Sequence, residues 1–444
     1  MKMNFKEYFE SIADFILSEL LGNEKISIAF SGEQTYFMRF NKAKVRQNGT
    51  VEQGFFHITF WKNNRTYHFS FGAKMNIEED KKEAAQVLQN AREDIMLFPE
   101  DPYQSIFETA ETSEAVYHGK LLDEACIPES ILKPAFGLDF TGLYAQGMIC
   151  KGVITSCGAK HWFQTETFGA DYSVWLENGR GIKSLYSGTE WNDEEYRKKL
   201  MQAKEGLTVL TVPKKKLEPG KYRAFISADA LTDVTAFFSW NGFSERDMQQ
   251  GSSAYLALKE GRECFSEKFN LTQDFSLAVE PAFNSNGELA PGKLCIIENG
   301  KLKNTLVSLR SQMRYGVKSN GAPASEAMRS VVVGAGTLPE SEVLKELGTG
   351  IYVSNFNYLN WSDLASARIT GMTRFACLWI EDGKVAAPIS DMRWDESLYN
   401  MFGSNLLAVT KERHLFSSTD SYDARTAGGC LLPGILIKDF NCTL

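Results

Sequence analysis

A catalytic zinc site built on one helix needs two histidines three or four positions apart, so that both imidazoles leave the same face. This chain of 444 residues has five histidines, His57, His68, His118, His161 and His414, and the closest pair, 57 and 68, is eleven positions apart. No helix face can carry two of them. Asp229 and Asp233 do stand one helical turn apart and could touch a hard cation, although such a pair more often opens a solvated helix. His161, beside Lys160, Gln164 and Glu166, and His68, inside an alternating run, both lack a nucleophile elbow, and Ser-His-Asp partners cannot be paired from sequence distance. The stretch 333–337 lacks the third glycine of a dinucleotide fingerprint and the Lys-Ser/Thr ending of a phosphate loop, and reads as a plain loop. Eight cysteines include no Cys-x-x-Cys spacing, which argues for buried free thiols rather than disulfides or a zinc knuckle.

The elements that must position these residues follow from periodicity. Phe5, Tyr8, Phe9, Ile12, Phe15, Ile16 and Leu20 recur at helical spacing. Residues 26–31, 34–40 and 51–61 then read as strands, and Asn63-Asn64 separates hairpin arms 54–61 and 66–72. Helices are expected at 78–97 and 193–205, each entered through an acidic first turn. Strands and turns fill 135–188 between them. Asn178-Gly179, Asn299-Gly300 and Asp382-Gly383 each follow a strand-like run and read as hairpin turns. After a crossing at 208–220 come a strand at 221–228, a helix at 229–239, and strands and loops ending in a final strand at 434–439.

Composition narrows the class. A net charge of −8 with no basic stripe argues against tracking nucleic acid, and Lys214-Lys215-Lys216 reads as a solvated turn. No apolar run approaches membrane-spanning length, and the opening residues from Met1 to Tyr8 lack a leader core, so a cytoplasmic protein without a membrane partner is expected. With 30 phenylalanines and 35 glycines, a strand-rich fold with many tight turns is the natural reading.

Four C-terminal tracts taken in order resemble the TldD/PmbA family, sometimes labelled modulators of DNA gyrase. They are 217–227, running from Leu217-Glu218-Pro219-Gly220 into a strand; 298–306, continuing through Ser311, Tyr315, Gly316 and Ser319-Asn320-Gly321; 347–353; and 375–389. The resemblance covers roughly residues 207–440. It implies an α+β protein with a mixed N-terminal domain (1–207) and a strand-rich, largely antiparallel C-terminal domain (208–444). It also implies peptide processing and dimers, either of like chains or of a metal-bearing and a metal-free subunit.

The metal-bearing branch carries His-Glu-x-x-x-His just after the strand that matches 221–228. Here the stretch from Asp229 to Trp240 has no histidine. The departure resembles the PmbA/TldE-like branch, with Val234, Ala236, Phe237, Phe238 and Trp240 turned to packing and Cys430 a buried thiol rather than a ligand. No catalytic residue and no metal ligand is therefore expected in this chain, and zinc, if used, belongs to a partner. Arg310, Arg314, Asn320, Tyr352 and Asn355 are the candidate substrate-binding residues, because arginine pairs with carboxylates and strand edges accept extended peptides. The expected function is that of a non-metallo subunit which helps a zinc-bearing TldD-like partner bind and process peptides. The alternative is a homodimeric, non-catalytic peptide-binding protein.

Overall fold

The computed structural model describes residues 4–419 and 421–444. Met1–Met3, part of the leader reading, lie outside the described residues. Helix α1 (Phe5–Ser18) begins where the Asn4 side chain accepts the Glu7 N–H at 2.9 Å. Its apolar face lies on a sheet built from β1 (Lys25–Asn41), β2 (Lys44–Lys62), β3 (Arg65–Gly72), β4 (Thr112–Tyr117), β5 (Asp139–Thr155), β6 (Lys160–Trp175) and β7 (Gly181–Gly188). The strand order is β3-β2-β1-β5-β6, after which β4 and β7 share the outer edge of β6. All pairs are antiparallel except β4 with β6.

The strands are longer than their sequence suggests. The runs 26–31 and 34–40 are one strand, because Gly32 and Glu33 are not a break. A Cβ at Gly32 would meet Phe30, Cys150 and Phe5 at 3.0–3.2 Å, so glycine lets α1 approach closely. Glu33 is buried because the Thr35 hydroxyl and Gln53 amide each donate to it at 2.6 Å. This length lets β1 serve two cores. Ile26, Ile28 and Phe30 pack under α1 and α2 (Ile77–Asp94), while Tyr36, Met38 and Phe40 join α3 (Ile127–Leu132) and α4 (Asp193–Val209). Helix α2 tightens to a 3-10 turn over Ile95–Leu97, and α4 runs four residues beyond its expected end.

Two further sheets fill the C-terminal part. The nine-stranded one comprises β8 (Gly220–Ile226), β13 (Gly350–Val353), β14 (Asn355–Asp363), β15 (Arg368–Arg374), β16 (Leu378–Glu381), β17 (Lys384–Pro388), β18 (Arg393–Ser397), β19 (Leu406–Val409) and β22 (Ile435–Cys442). The six-stranded one comprises β9 (Leu271–Asp274), β10 (Lys293–Glu298), β11 (Lys301–Leu302), β12 (Val331–Val333), β20 (His414–Ser417) and β21 (Gly429–Leu432). Only Ser354 separates β13 from β14, yet the order β14-β15-β18-β22-β8-β13 places them on opposite sides of four strands. The larger sheet must therefore curl back toward itself. Pairing is antiparallel except for β13 with β8 and β12 with β21. The fold is α+β, with a mixed N-terminal region and a strand-rich C-terminal region.

The hairpin turns form where turn chemistry places them. Asn63-Asn64, Asn299-Gly300 and Asp382-Gly383 all have left-handed backbones, and each joins an antiparallel pair. Lys215 departs from the solvated reading: its ammonium lies 4.4 Å from the Trp379 ring centre and 3.6 Å from Glu381.

Candidate functional site

Helix α5 (Ala228–Thr235) is where the sequence departs most informatively from a metal site. The Ser227 hydroxyl caps it, accepting the Ala230 N–H at 3.1 Å and donating to the Ser354 carbonyl at 2.8 Å. One side chain thereby ties the start of the helix to the junction of β13 and β14. Ala228, Ala230, Leu231 and Val234 face the core, followed by Phe237 and Phe238. Asp229, Thr232, Asp233 and Ala236 are left on the opposite face. Ala236 and Trp240 are exposed and line a cleft, although Trp240 also packs against Phe237.

That cleft encloses about 900 Å³ between α5, the edge strand β14, the β20–β21 pair, and Asp171, Lys183 and Leu185 of the N-terminal sheet. Asp171 and Lys183 pair at 3.1 Å. Asp229 is half-buried, and its carboxyl meets no other side chain in a hydrogen bond or ion pair among the described residues. Burial raises its carboxyl above the usual range, against the opposing pull of Lys199, His414 and Lys183. Asp233 stands at the open mouth, yet surrounding protein mass pushes it up to about 6, with Lys183 opposing. Cys430 reaches the cleft as a thiol pushed up to about 12 by burial. Tyr358 projects at 86% exposure from a left-handed backbone. The β14–β15 register slips between Asn357 and Asn360, which leaves Tyr358 and Leu359 outside the ladder.

The five expected binding residues do not converge. Asn355 lines this cleft, and its Oδ1 is buried without a partner among the described residues. Tyr352, on β13, packs against Phe225, and burial raises its phenol. Arg310 and Arg314 lie on α8 (Leu309–Tyr315) and share the Tyr103 ring, while Arg310 also pairs with Asp101 at 2.6 Å. Asn320 accepts the Val307 N–H and donates to the Thr305 carbonyl, beside a separate cavity of about 1000 Å³. The cleft draws instead on Asp171, Lys183, Arg374 and Phe375, none of which carries a site signal in sequence because they come from three distant strands and a turn. Asp229 and Asp233 alone had a readable spacing.

A family model described as the PmbA/TldA metallopeptidase C-terminal domain matches residues 219–444, more than half of the chain. The chain belongs to the TldD/PmbA family. A comparison with curated proteins found no match. Among solved structures, this TldD/PmbA chain is similar to a proposed modulator of a DNA gyrase from Thermotoga maritima, with TM-score 0.75, 16% identity, and 99% and 100% of the two chains covered. A proposed modulator of DNA gyrase from Bacteroides thetaiotaomicron gives TM-score 0.77, 15% identity and full coverage of both chains. TldE from Thermococcus kodakarensis gives 0.73, 14% and 99% of each. At these identities the likeness is one of fold.

The metallopeptidase description raises the question of zinc, which prefers imidazole and thiolate donors in a tetrahedral set. This TldD/PmbA cleft offers two carboxylates on one helix and a buried, protonated thiol. Among the described residues no histidine lines it, and His414 is held by Glu340 at 2.6 Å. Among the described residues, no three His, Cys, Asp or Glu side chains come together in a way that could hold a metal. These donors do not fit zinc. The Thr232, Thr235 and Ser417 hydroxyls of the cleft donate to backbone carbonyls, not to either carboxylate.

Proposed function

We propose that this chain is a non-metallo member of a TldD/PmbA peptidase assembly, and that its cleft holds an extended peptide while a zinc-bearing partner supplies the chemistry. The observation that carries this reading is the cleft itself. The helix that bears histidines in the metallo branch is present, capped and facing an open groove, but it bears carboxylates that cannot complete a zinc set. The groove runs beside β14, an edge strand of its sheet that pairs only with β15 among the described residues, so its other edge can accept an incoming strand. Phe375 and Trp240 add apolar walls. Asn355 is the member of the sequence-based set best placed to meet such a ligand.

We assign residues 1–207 and 208–444 to two domains whose junction forms this cleft, and a cytoplasmic location suits the reading. The test is affinity purification of the intact chain from its own cell extract, followed by intact-mass analysis. A stoichiometric relative carrying His-Glu-x-x-x-His is the expected result. Recovery of the chain only with itself, together with peptide binding, would favour the homodimeric binding protein.

A further inference from the structure

The polar groups of the cleft are unequally matched. Lys183 is engaged by Asp171, whereas Asp229 and Asp233 make no hydrogen bond or ion pair to any other side chain among the described residues. The other cations near Asp229, Lys199 and His414, act on it from a distance, and His414 is already paired with Glu340. Arg374, across the cleft, stacks at 5.7 Å on Phe375. A carboxylate partly withdrawn from water is costly unless a cation meets it, so this side of the cleft lacks a counter-charge that a ligand can bring. Two carboxylates a helical turn apart surround a compact, three-donor ammonium better than a planar guanidinium, which favours one flat carboxylate. Phe237 and Trp240, stacked 5.6 Å apart beside the pair, form an apolar rim that limits water around such a group.

We propose that Asp229 and Asp233 form a primary-ammonium subsite in the cleft, Asp229 on its inner side and Asp233 at its mouth, so that the chain takes extended peptides by a free amino group. This rests on the peptide-binding reading above and specifies which end of the ligand is held. Main-chain pairing along the edge strand β14 recognises any extended backbone, while the acid pair recognises where the backbone stops. Two sources of ammonium share this chemistry: the peptide α-amino group and a lysine side chain.

The experiment is isothermal titration of the full chain with three hexapeptides of the same alanine-rich composition. One has a free amino terminus and no lysine, one is N-acetylated without lysine, and one is N-acetylated with an internal lysine. The free-amino peptide is expected to bind roughly tenfold more tightly than its acetylated counterpart. An Asp229→Asn/Asp233→Asn double variant is expected to lose that difference. Tight binding of the acetylated lysine peptide would support the ammonium subsite and assign its ligand to side chains. Equal affinities for all three would overturn the subsite while leaving peptide binding intact, and no binding by any would overturn both. The wild-type comparison decides the matter even if the double variant fails to fold.

Discussion

Glu326 shows how one buried side chain organises the segments around it. It is fully buried, on a left-handed backbone, and accepts from the Ser244 and Ser308 hydroxyls and the Arg246 and Ser308 N–H groups at 2.6–2.8 Å. Ser244 and Ser308 are themselves the N-caps of α6 (Glu245–Gln250) and α8, and the short α7 (Leu256–Lys259) packs close by, its Lys259 pairing with Glu245 at 2.8 Å. Burial pushes the Glu326 carboxyl up, but its hydroxyl and N–H donors outweigh burial and hold it below the ordinary range. Glu326→Gln turns one accepting oxygen into a donor facing donors, and is expected to cost roughly 2–3 kcal/mol in chemical denaturation. Because the folded value is depressed, the wild-type advantage is complete above the unfolded value and is lost as pH falls through the folded one. The gap between the two proteins should therefore narrow below pH about 4, and a gap that widened there would contradict this account. None of it is visible in sequence, since the donors lie eighteen and about eighty positions away from Glu326.

At the scale of elements, helices and hairpins were legible because their signals are local. The acidic first turns and the Asn-Gly and Asp-Gly dipeptides act within a few residues, and the Asn76 and Asn192 caps found in the structure are equally local. Replacing Asn64 by Val puts a branched side chain at φ 58° and is expected to cost about 1–2 kcal/mol, read as a lowered melting temperature. The continuity of β1 was not legible, because Gly32-Glu33 reads as a turn until Phe5 and the donors to Glu33 are in place. One of those donors is the backbone of Arg425, far along the chain, at 3.2 Å. The Arg425 guanidinium, itself buried, bonds the Thr35 and Thr167 hydroxyls and the Thr167 carbonyl within the N-terminal sheet. Arg425→Met would leave Glu33 buried without its nearby cation. We expect a loss of about 3 kcal/mol in urea unfolding and faster protease cleavage near Arg425. An unchanged midpoint would show that this tie is not stabilising.

For the whole molecule, the two regions are fastened at several points. Ser27 donates to the Ser285 carbonyl at 2.6 Å, Lys151 pairs with Glu280 at 2.9 Å, and His161 bridges Ser113 and the Gly287 carbonyl. Burial lowers the His161 ring, so it is neutral near pH 7: its Nε2–H donates to the carbonyl and Nδ1 accepts from Ser113. The histidine with the most suggestive sequence neighbourhood is thus a fastener between regions. The family was legible in sequence because its tracts are contiguous, whereas the cleft was not, since it exists only where α5 meets β14, β20 and the N-terminal sheet. The central claim is that this cleft binds peptide without a metal of its own. It is tested most directly by titrating a free-amino peptide into the intact chain before and after exhaustive chelation, with the metal content of both samples measured. We predict substoichiometric zinc throughout and the same affinity in both titrations. One zinc per chain, removed by the chelator together with peptide binding, would contradict the account.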